Sequence, residues 1–357
     1  MRIGNFLFSV IFTLLLVNTQ TFGQDELFSS GTSIGGYGEL HYNYSKPENG
    51  NETKTLDFHR FVMFYSYRWN ESWSFKSEVE LEHNFVSDGQ GELELEQAYV
   101  DYHHADWFGF QAGVILPSIG LINEFHEPPL FLSVERPDYS KNIIPTTWFG
   151  NGIAFYGNYS GFDYKVTVME GLDADGFSAK SGIRGGRLKG FKSDAENFLY
   201  NFRLDYLKVP GLKMGASFTF NEATGDSINN AISLFEIHAK YNANNIFASF
   251  EYGNISYDKG DVETSSGFYA DLGFDIGSMM DLKTKVVPFV RYSDYNTAAS
   301  TITGGESEQK YHARKWMIGL AIFPIESVVF KVDYSLNTVE LGDSETTLFN
   351  LGVGYMF

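Results

Sequence analysis

The stretch Thr347-Leu348-Phe349-Asn350-Leu351-Gly352-Val353-Gly354-Tyr355-Met356-Phe357 alternates with a period of two. Phe349, Leu351, Val353, Tyr355 and Phe357 share one face of an extended strand, while Asn350, Gly352, Gly354 and Met356 share the other. One face is greasy and aromatic; the other is small, polar or neutral. Such regular alternation predicts a strand at a place where the ends of most soluble domains fray.

Working outward, the same pattern recurs along the chain. Phe162, Tyr164, Val166 and Val168 oppose Asp163, Lys165 and Thr167; Tyr200, Phe202, Leu204 and Tyr206 oppose Asn201, Arg203 and Asp205; Val328, Phe330, Val332 and Tyr334 oppose Lys331, Asp333 and Ser335. Alternation predicts about sixteen strands, near 33–44, 55–69, 73–85, 92–104, 107–116, 148–158, 161–171, 198–207, 211–220, 230–241, 245–257, 265–276, 283–294, 311–323, 327–338 and 346–357. In the fourth, Leu93 and Leu95 share one parity but Ala98, Val100 and Tyr102 share the other, which predicts a bulge near Glu96-Gln97 or a late strand start. Tight connections such as Ser160-Gly161 and Asn242-Ala243-Asn244 alternate with long ones, including 45–54, 117–147, 172–197 and 296–310. Charged residues on strands that carry a full aromatic face, with short turns on one rim and long loops on the other, describe a wall between lipid and a wet lumen. The expected fold is all-β: a transmembrane antiparallel up-and-down β-barrel with short periplasmic turns and long extracellular loops. A sandwich seldom runs so many strands with aromatic faces, and no fixed repeat supports a solenoid.

The front end and composition agree. Met1-Arg2 followed by the apolar run Phe6 to Val17 and then Thr21-Phe22-Gly23 predicts a signal peptide over residues 1–23, with 24–357 forming the barrel. Localisation in a cell outer membrane follows, with outer-membrane lipid and lipopolysaccharide as surroundings. The terminal Phe357, with Tyr355 two residues before it, resembles the signal by which outer-membrane barrels are recognised for insertion. Aromatic residues make up 17% of the chain and 36 residues are glycine, a balance suited to a sheet with one lipid face and one wet face. Cysteine is absent, which excludes disulfides, thiolate metal sites and cysteine nucleophiles. A formal charge of −19 makes nucleic acid an unsuitable partner.

The segment 117–147 holds five of the nine prolines and a mixed set of charges: Glu124, Glu127, Glu135, Arg136, Asp138 and Lys141. Prolines stiffen a loop, so this one is expected to fold inward as a constriction that filters by size and charge. Strand parity places Arg60, Arg68, Lys76, Lys165, Arg203, Arg291, Lys315 and Lys331 on the lumen wall, interspersed with carboxylates such as Asp205, Glu236, Glu251, Asp271 and Asp333. Near-balance between the two signs does not by itself predict an anion channel. Glu80, Glu82, Glu92 and Glu94 lie on two arms of one hairpin turning near Asp88-Gly89. They are candidate cation ligands of the calcium type, although hydrated carboxylates are the plainer reading and no metal or other cofactor is called for. The basic segment with Lys180, Arg184, Arg187, Lys189 and Lys192 reads as a solvated loop.

Several runs carry a family resemblance: Gln97-Ala98-Tyr99-Val100-Asp101-Tyr102, Phe110-Gln111-Ala112-Gly113, Val134-Glu135-Arg136-Pro137 and Asn151-Gly152-Ile153. Together they resemble the core of the phosphate-selective porin O and P family. The resemblance implies a sixteen-stranded porin, a homotrimer, passing small hydrophilic solutes or ions by passive diffusion, with anions such as phosphate among the candidates. After Gly113 the family tends to place a lysine and a Pro-Phe-Gly turn, whereas this chain has Ile115-Leu116-Pro117-Ser118-Ile119-Gly120, so phosphate preference is not carried over. Two other functions remain: a closed barrel acting as an adhesin or scaffold through its loops, and an outer-membrane lipid hydrolase. The second would need a Ser-His-Asn/Asp set at the rim. Nothing in the spacing of the eight histidines suggests one, and the chain is not expected to be an enzyme.

Overall fold

A computed structural model describes residues 31–87, 90–193 and 195–357. The expected signal peptide and the Asp88-Gly89 turn lie outside the described residues. Sixteen strands follow one another: β1 (Gly31–Pro47), β2 (Thr53–Arg68), β3 (Trp73–Glu82), β4 (Leu93–Ala105), β5 (Phe108–Ile115) and β6 (Gly150–Tyr159). Next come β7 (Phe162–Met169), β8 (Leu199–Tyr206), β9 (Leu212–Ala223), β10 (Asn230–Ala243) and β11 (Ile246–Tyr257). The last are β12 (Val262–Phe274), β13 (Lys285–Thr301), β14 (His312–Ile325), β15 (Val328–Val339) and β16 (Ser344–Met356). Each pairs antiparallel with its neighbours in sequence, and β16 returns to β1, so the sheet is a closed barrel. Closure leaves no unpaired edge, the condition a sheet must meet to span hydrocarbon.

The closing seam is made by the stretch whose alternation is so clear. Tyr37 through Pro47 pair with Met356 back through Thr346. The chain end is held as well: Phe357 N–H donates to the Gly36 carbonyl (2.9 Å), and Gly36 N–H donates back to the Phe357 carbonyl (3.0 Å). Along β16, Leu351 is 43% exposed on the outside, while its neighbour Asn350 is 4% exposed on the inside. The same division holds elsewhere. Phe202, Leu204, Ile318, Phe330 and Tyr334 are exposed outward; Asn201, Arg203, Asp205, Lys331 and Asp333 are buried inward. Large apolar side chains outside and ionisable ones buried inside invert a soluble core and define a lipid-facing cylinder. The bulge falls where the parity break predicts it: Glu78 pairs with Gln97 and Val79 with Leu95, leaving Glu96 as the extra residue.

Strand ends differ from the sequence reading. β13 runs on to Thr301, and β12 begins at Val262, so the connection before β12 and the one after β13 are shorter than alternation implies. Beyond the lipid band both faces meet water or loops, and a strand there has no apolar face to announce it. The rim that carries both chain ends has connections such as 106–107, 160–161 and 244–245; its longest spans 275–284. The opposite rim carries the third and fourth loops, 116–149 and 170–198. Both pack inside the barrel. Ile119, Tyr139, Ile143, Ile144 and Trp148 of the third loop and Leu172, Ala174 and Ile183 of the fourth share an apolar cluster with wall residues Leu199, Ile232, Leu234, Ile255 and Tyr269.

Candidate functional site

The third loop is built to stay in place. Its two stems are clasped by one buried side chain: Asn123 Nδ2 donates to the carbonyls of Pro117 (2.9 Å) and Trp148 (3.1 Å), and its Oδ1 accepts from Trp148 N–H (2.9 Å). Near the start, Gly120 lies at φ +68°, where any Cβ would meet the Glu251 carboxylate at 2.0 Å. That carboxylate takes the Leu121 N–H (3.1 Å), and Arg203 donates to the Gly120 carbonyl (2.6 Å). Glu124 meets Lys165 at 2.6 Å.

The far end is held by the opposite wall. Arg291 donates to Ser133 Oγ (2.6 Å), Lys331 donates to the Ser133 carbonyl (2.8 Å), and Asp333 accepts the Val134 N–H (2.7 Å). A short helical turn, Tyr139–Asn142, then begins next to Asp138, which pairs with Lys315 at 2.9 Å. Here the small face of β16 shows its purpose. A Cβ on Gly354 would lie 2.3 Å from Pro128 Cβ, and one on Gly352 would lie 2.9 Å from Val134 Cγ1. Glycine lets the loop lie against the wall at these two points. Because β7 and β8 lie opposite β15, β16 and β1 in the ring, a loop bonded to both sides crosses the bore.

Of the loop charges, Glu135 accepts from His41 Nδ1 (3.0 Å) and Asn43 Nδ2 (2.9 Å). Glu127 Oε2 and the Arg136 Nε and one terminal nitrogen are buried without a hydrogen-bond partner in the protein. Lys141 is exposed, and its carbonyl accepts from Arg184 (3.5 Å). Burial opposes charge on Glu124 and Glu135, but their cationic neighbours win. Lys165 and Arg203 hold the Glu124 carboxyl below its ordinary range, and His41 holds Glu135 at about 2.

The wall cations do not form a free ladder. Arg60 pairs with Glu39 at 2.6 Å and Glu80 at 3.4 Å; Arg203 with Asp205 at 3.0 Å; Arg291 grips Asp271 through two nitrogens at 2.6 and 2.7 Å. Lys331 also sits 3.7 Å from the centre of the Phe131 ring. Arg68 and Lys76 lie exposed near the rim of short turns. The four hairpin carboxylates are split between two cations: Glu80 and Glu82 face Arg60, whereas Glu92 (2.6 Å) and Glu94 hold Lys189. The fourth loop is therefore tied in rather than solvated, since Arg187 also donates to the Thr146 and Thr147 carbonyls at 3.0 and 2.9 Å. Sequence parity could place these partners on the wall but could not show which loop atoms they reach.

Beside the start of the third loop lies a cavity of about 530 Å³, lined by Glu124, Phe125, Lys165, Arg203, Asp205 and Lys213 among others. Its charges are of both signs. An inward chain continues behind it, from Arg203 and Asp205 through His238 (3.0 Å) to Glu236 (2.8 Å). His238 and His41 escaped sequence reasoning as partners, although each occupies an inward position next to a carboxylate two residues away. The segment Gly31-Thr32-Ser33-Ile34-Gly35 matches the hydrolase pattern Gly-x-Ser-x-Gly. It is a continuous strand in register with β2, not the strand-to-helix elbow that such a nucleophile requires.

The phosphate-selective porin O and P family profile matches residues 34–195. An uncharacterized protein of Aquifex aeolicus (strain VF5) is 33% identical over 331 residues, covering 85% of this chain and 75% of that one. Among solved structures, an anion-selective porin from Comamonas acidovorans superposes with a TM-score of 0.63 at 11% identity, covering 92% of this chain and all of the other. The trimer form of OmpT, an outer membrane protein of Vibrio cholerae, superposes with a TM-score of 0.58 at 13% identity, covering 92% and 100%. At such identities these structures share the fold alone. Taken with the closed sixteen-strand barrel, the family match and the relative place this outer-membrane β-barrel channel in the phosphate-selective porin O and P family.

Proposed function

We propose that the protein lets small hydrophilic solutes and ions diffuse passively across the outer membrane, with the third loop setting the limiting radius and the charge preference. The carrying observation is the double anchorage of that loop, to Lys165 and Arg203 on one side and to Arg291, Lys331 and Asp333 on the other. Glu124, Glu127, Glu135, Arg136, Asp138 and Lys141 are its filter charges. No chemical step is involved; the channel supplies a path and a barrier.

Each buried cation of the wall is matched by a carboxylate or a carbonyl, which favours general diffusion over a dedicated phosphate path. Anions, phosphate included, pass as one class of solute among several. A homotrimer is the assembly this reading adopts, in keeping with the trimer form of the Vibrio cholerae neighbour, set in lipid and lipopolysaccharide after export directed by the 1–23 signal peptide. One observation favours a second reading, a closed barrel that presents its loops: the apolar packing of the third loop against the fourth.

Solute flux into proteoliposomes decides between them. Sugars, chloride and phosphate should enter at rates that fall with hydrated size. Entry of phosphate much faster than chloride would refute general diffusion, and vesicles tight to every solute would favour the closed barrel.

A further inference from the structure

Behind the third loop, three ionisable side chains converge without the hydrogen bonds that their burial demands. His126 Nε2 lies 3.5 Å from Glu78 Oε1 and 3.5 Å from Glu96 Oε2, with the three side chains at most 3% exposed. His126 Nε2, Glu78 Oε1 and both Glu96 oxygens have no hydrogen-bond partner in the protein. Native proteins leave only a few such groups unmet per hundred residues, because each costs roughly 1–3 kcal/mol and more when charged. Here one donor atom from each of the three residues lies within 4.8 Å of the other two.

We propose that Glu78, Glu96 and His126 form a site for a divalent transition-metal ion of the zinc class, which pins the third loop to the barrel wall. Three observations support it. First, the spacing fits: donors arranged tetrahedrally at roughly 2.1 Å from zinc lie about 3.4 Å from one another. An ionic hydrogen bond between imidazolium and carboxylate would close to about 2.7–2.9 Å. Second, the ring is oriented for ligation. His126 Nδ1 lies 2.9 Å from the Asn123 carbonyl, which can only accept, so one ring proton is fixed at Nδ1 and Nε2 is the ring atom turned to the carboxylates. Gln97 steadies Glu78 in turn by donating to its other oxygen. Third, the charges cancel. Two carboxylates, a neutral imidazole and a divalent ion sum to zero, which a buried site favours.

The β-bulge belongs to the same design. Glu96 is the extra residue opposite Glu78, and bulges re-aim side chains where a site needs them. Both Glu96 oxygens are available, so this carboxylate can bind through two atoms and complete a four-donor set.

The test uses the full refolded chain in detergent, stripped with chelator, offered one equivalent of Zn²⁺ and desalted. Two other donor groups, His41-His59-Glu135 and Asp57-His59-His83, lie nearer the mouth, so H83A serves as the control. Wild type and H83A should retain about one zinc per chain. E96Q and H126A should lose affinity at least tenfold. X-ray absorption at the zinc edge of the wild type, which needs no variant to fold, should show one imidazole among oxygen ligands. Failure of the wild type to retain zinc would overturn the proposal, as would two or more imidazoles in the spectrum or a loss confined to H83A. In each of those cases Glu78, Glu96 and His126 are a plain ion triad. Channel activity is not the readout, so this result and the solute-flux result stand apart.

Discussion

Replacing Glu124 by glutamine changes one charge in a cavity whose size is known, so its effect can be worked out. A sphere of about 530 Å³ has a radius of about 5 Å, which sets the distance from Glu124 to an ion at the cavity centre. In a water-filled bore a unit charge at about 5 Å contributes roughly 0.8 kcal/mol, falling to about 0.5 kcal/mol with screening at 0.1 M salt. The term has opposite sign for an anion and a cation, so the two barriers separate by about 1 kcal/mol, or roughly a fivefold change in permeability ratio. Removing the carboxylate also frees Lys165, now 2.6 Å from it, to face the solute. Reversal potentials in a tenfold KCl gradient should therefore move towards anions by that amount in E124Q. The shift should shrink at 1 M salt, where the Debye length is about 3 Å. A change below twofold at 0.1 M would place the ion path away from this cavity and refute the reasoning.

Asn123→Leu strips three stem hydrogen bonds at once. With roughly 1–3 kcal/mol for each buried group left unmet, the loop should come loose, seen as greater open-channel noise with the barrel still intact. Arg291→Met leaves Asp271 buried and unpaired, which should cost about 3–5 kcal/mol in urea unfolding from lipid vesicles, and adding Asp271→Asn should recover much of it. Gly354→Val must displace Pro128, since an ordinary carbon contact of roughly 3.5–4.0 Å replaces a 2.3 Å approach; unit conductance should change while its barrel still folds. The pH dependence has two limbs in the metal-free protein. His126 is raised from 6.5 to about 10, so its hold on the loop is full below pH 6.5 and lost as pH rises through 10. Glu135 is lowered from 4.5 to about 2, so its hold is full above pH 4.5 and lost as pH falls towards 2. Current noise should thus be lowest in between.

The barrel was legible because lipid and water impose opposite demands on successive residues. Phe162 to Val168 and Thr347 to Phe357 spell out both faces, and the parity break near Glu96-Gln97 pointed to the bulge found at Glu96. Strand ends were not legible beyond the lipid band, as Asn296 to Thr301 show, because there neither face is greasy. The wall charges were placed by parity, but their partners were not. Arg291 and Lys331 read as lumen cations, yet they meet Ser133, some 158 and 198 residues earlier in the chain. Contacts of that range depend on how the third loop folds back, and a loop without periodicity carries no signal for it. Gly352 and Gly354 were visible as a small face, while the loop that uses the space was not. His126, Glu78 and Glu96 come from a loop and two strands, so no local spacing links them.

Single-channel recording in planar bilayers tests the central claim most directly, that a closed cylinder holds a watery path narrowed by the third loop. Purified protein should insert to give uniform, long-lived conductance steps that are ohmic at low voltage, and E124Q should give steps of altered ion preference. A bilayer that remains insulating after verified insertion of folded protein would contradict the account.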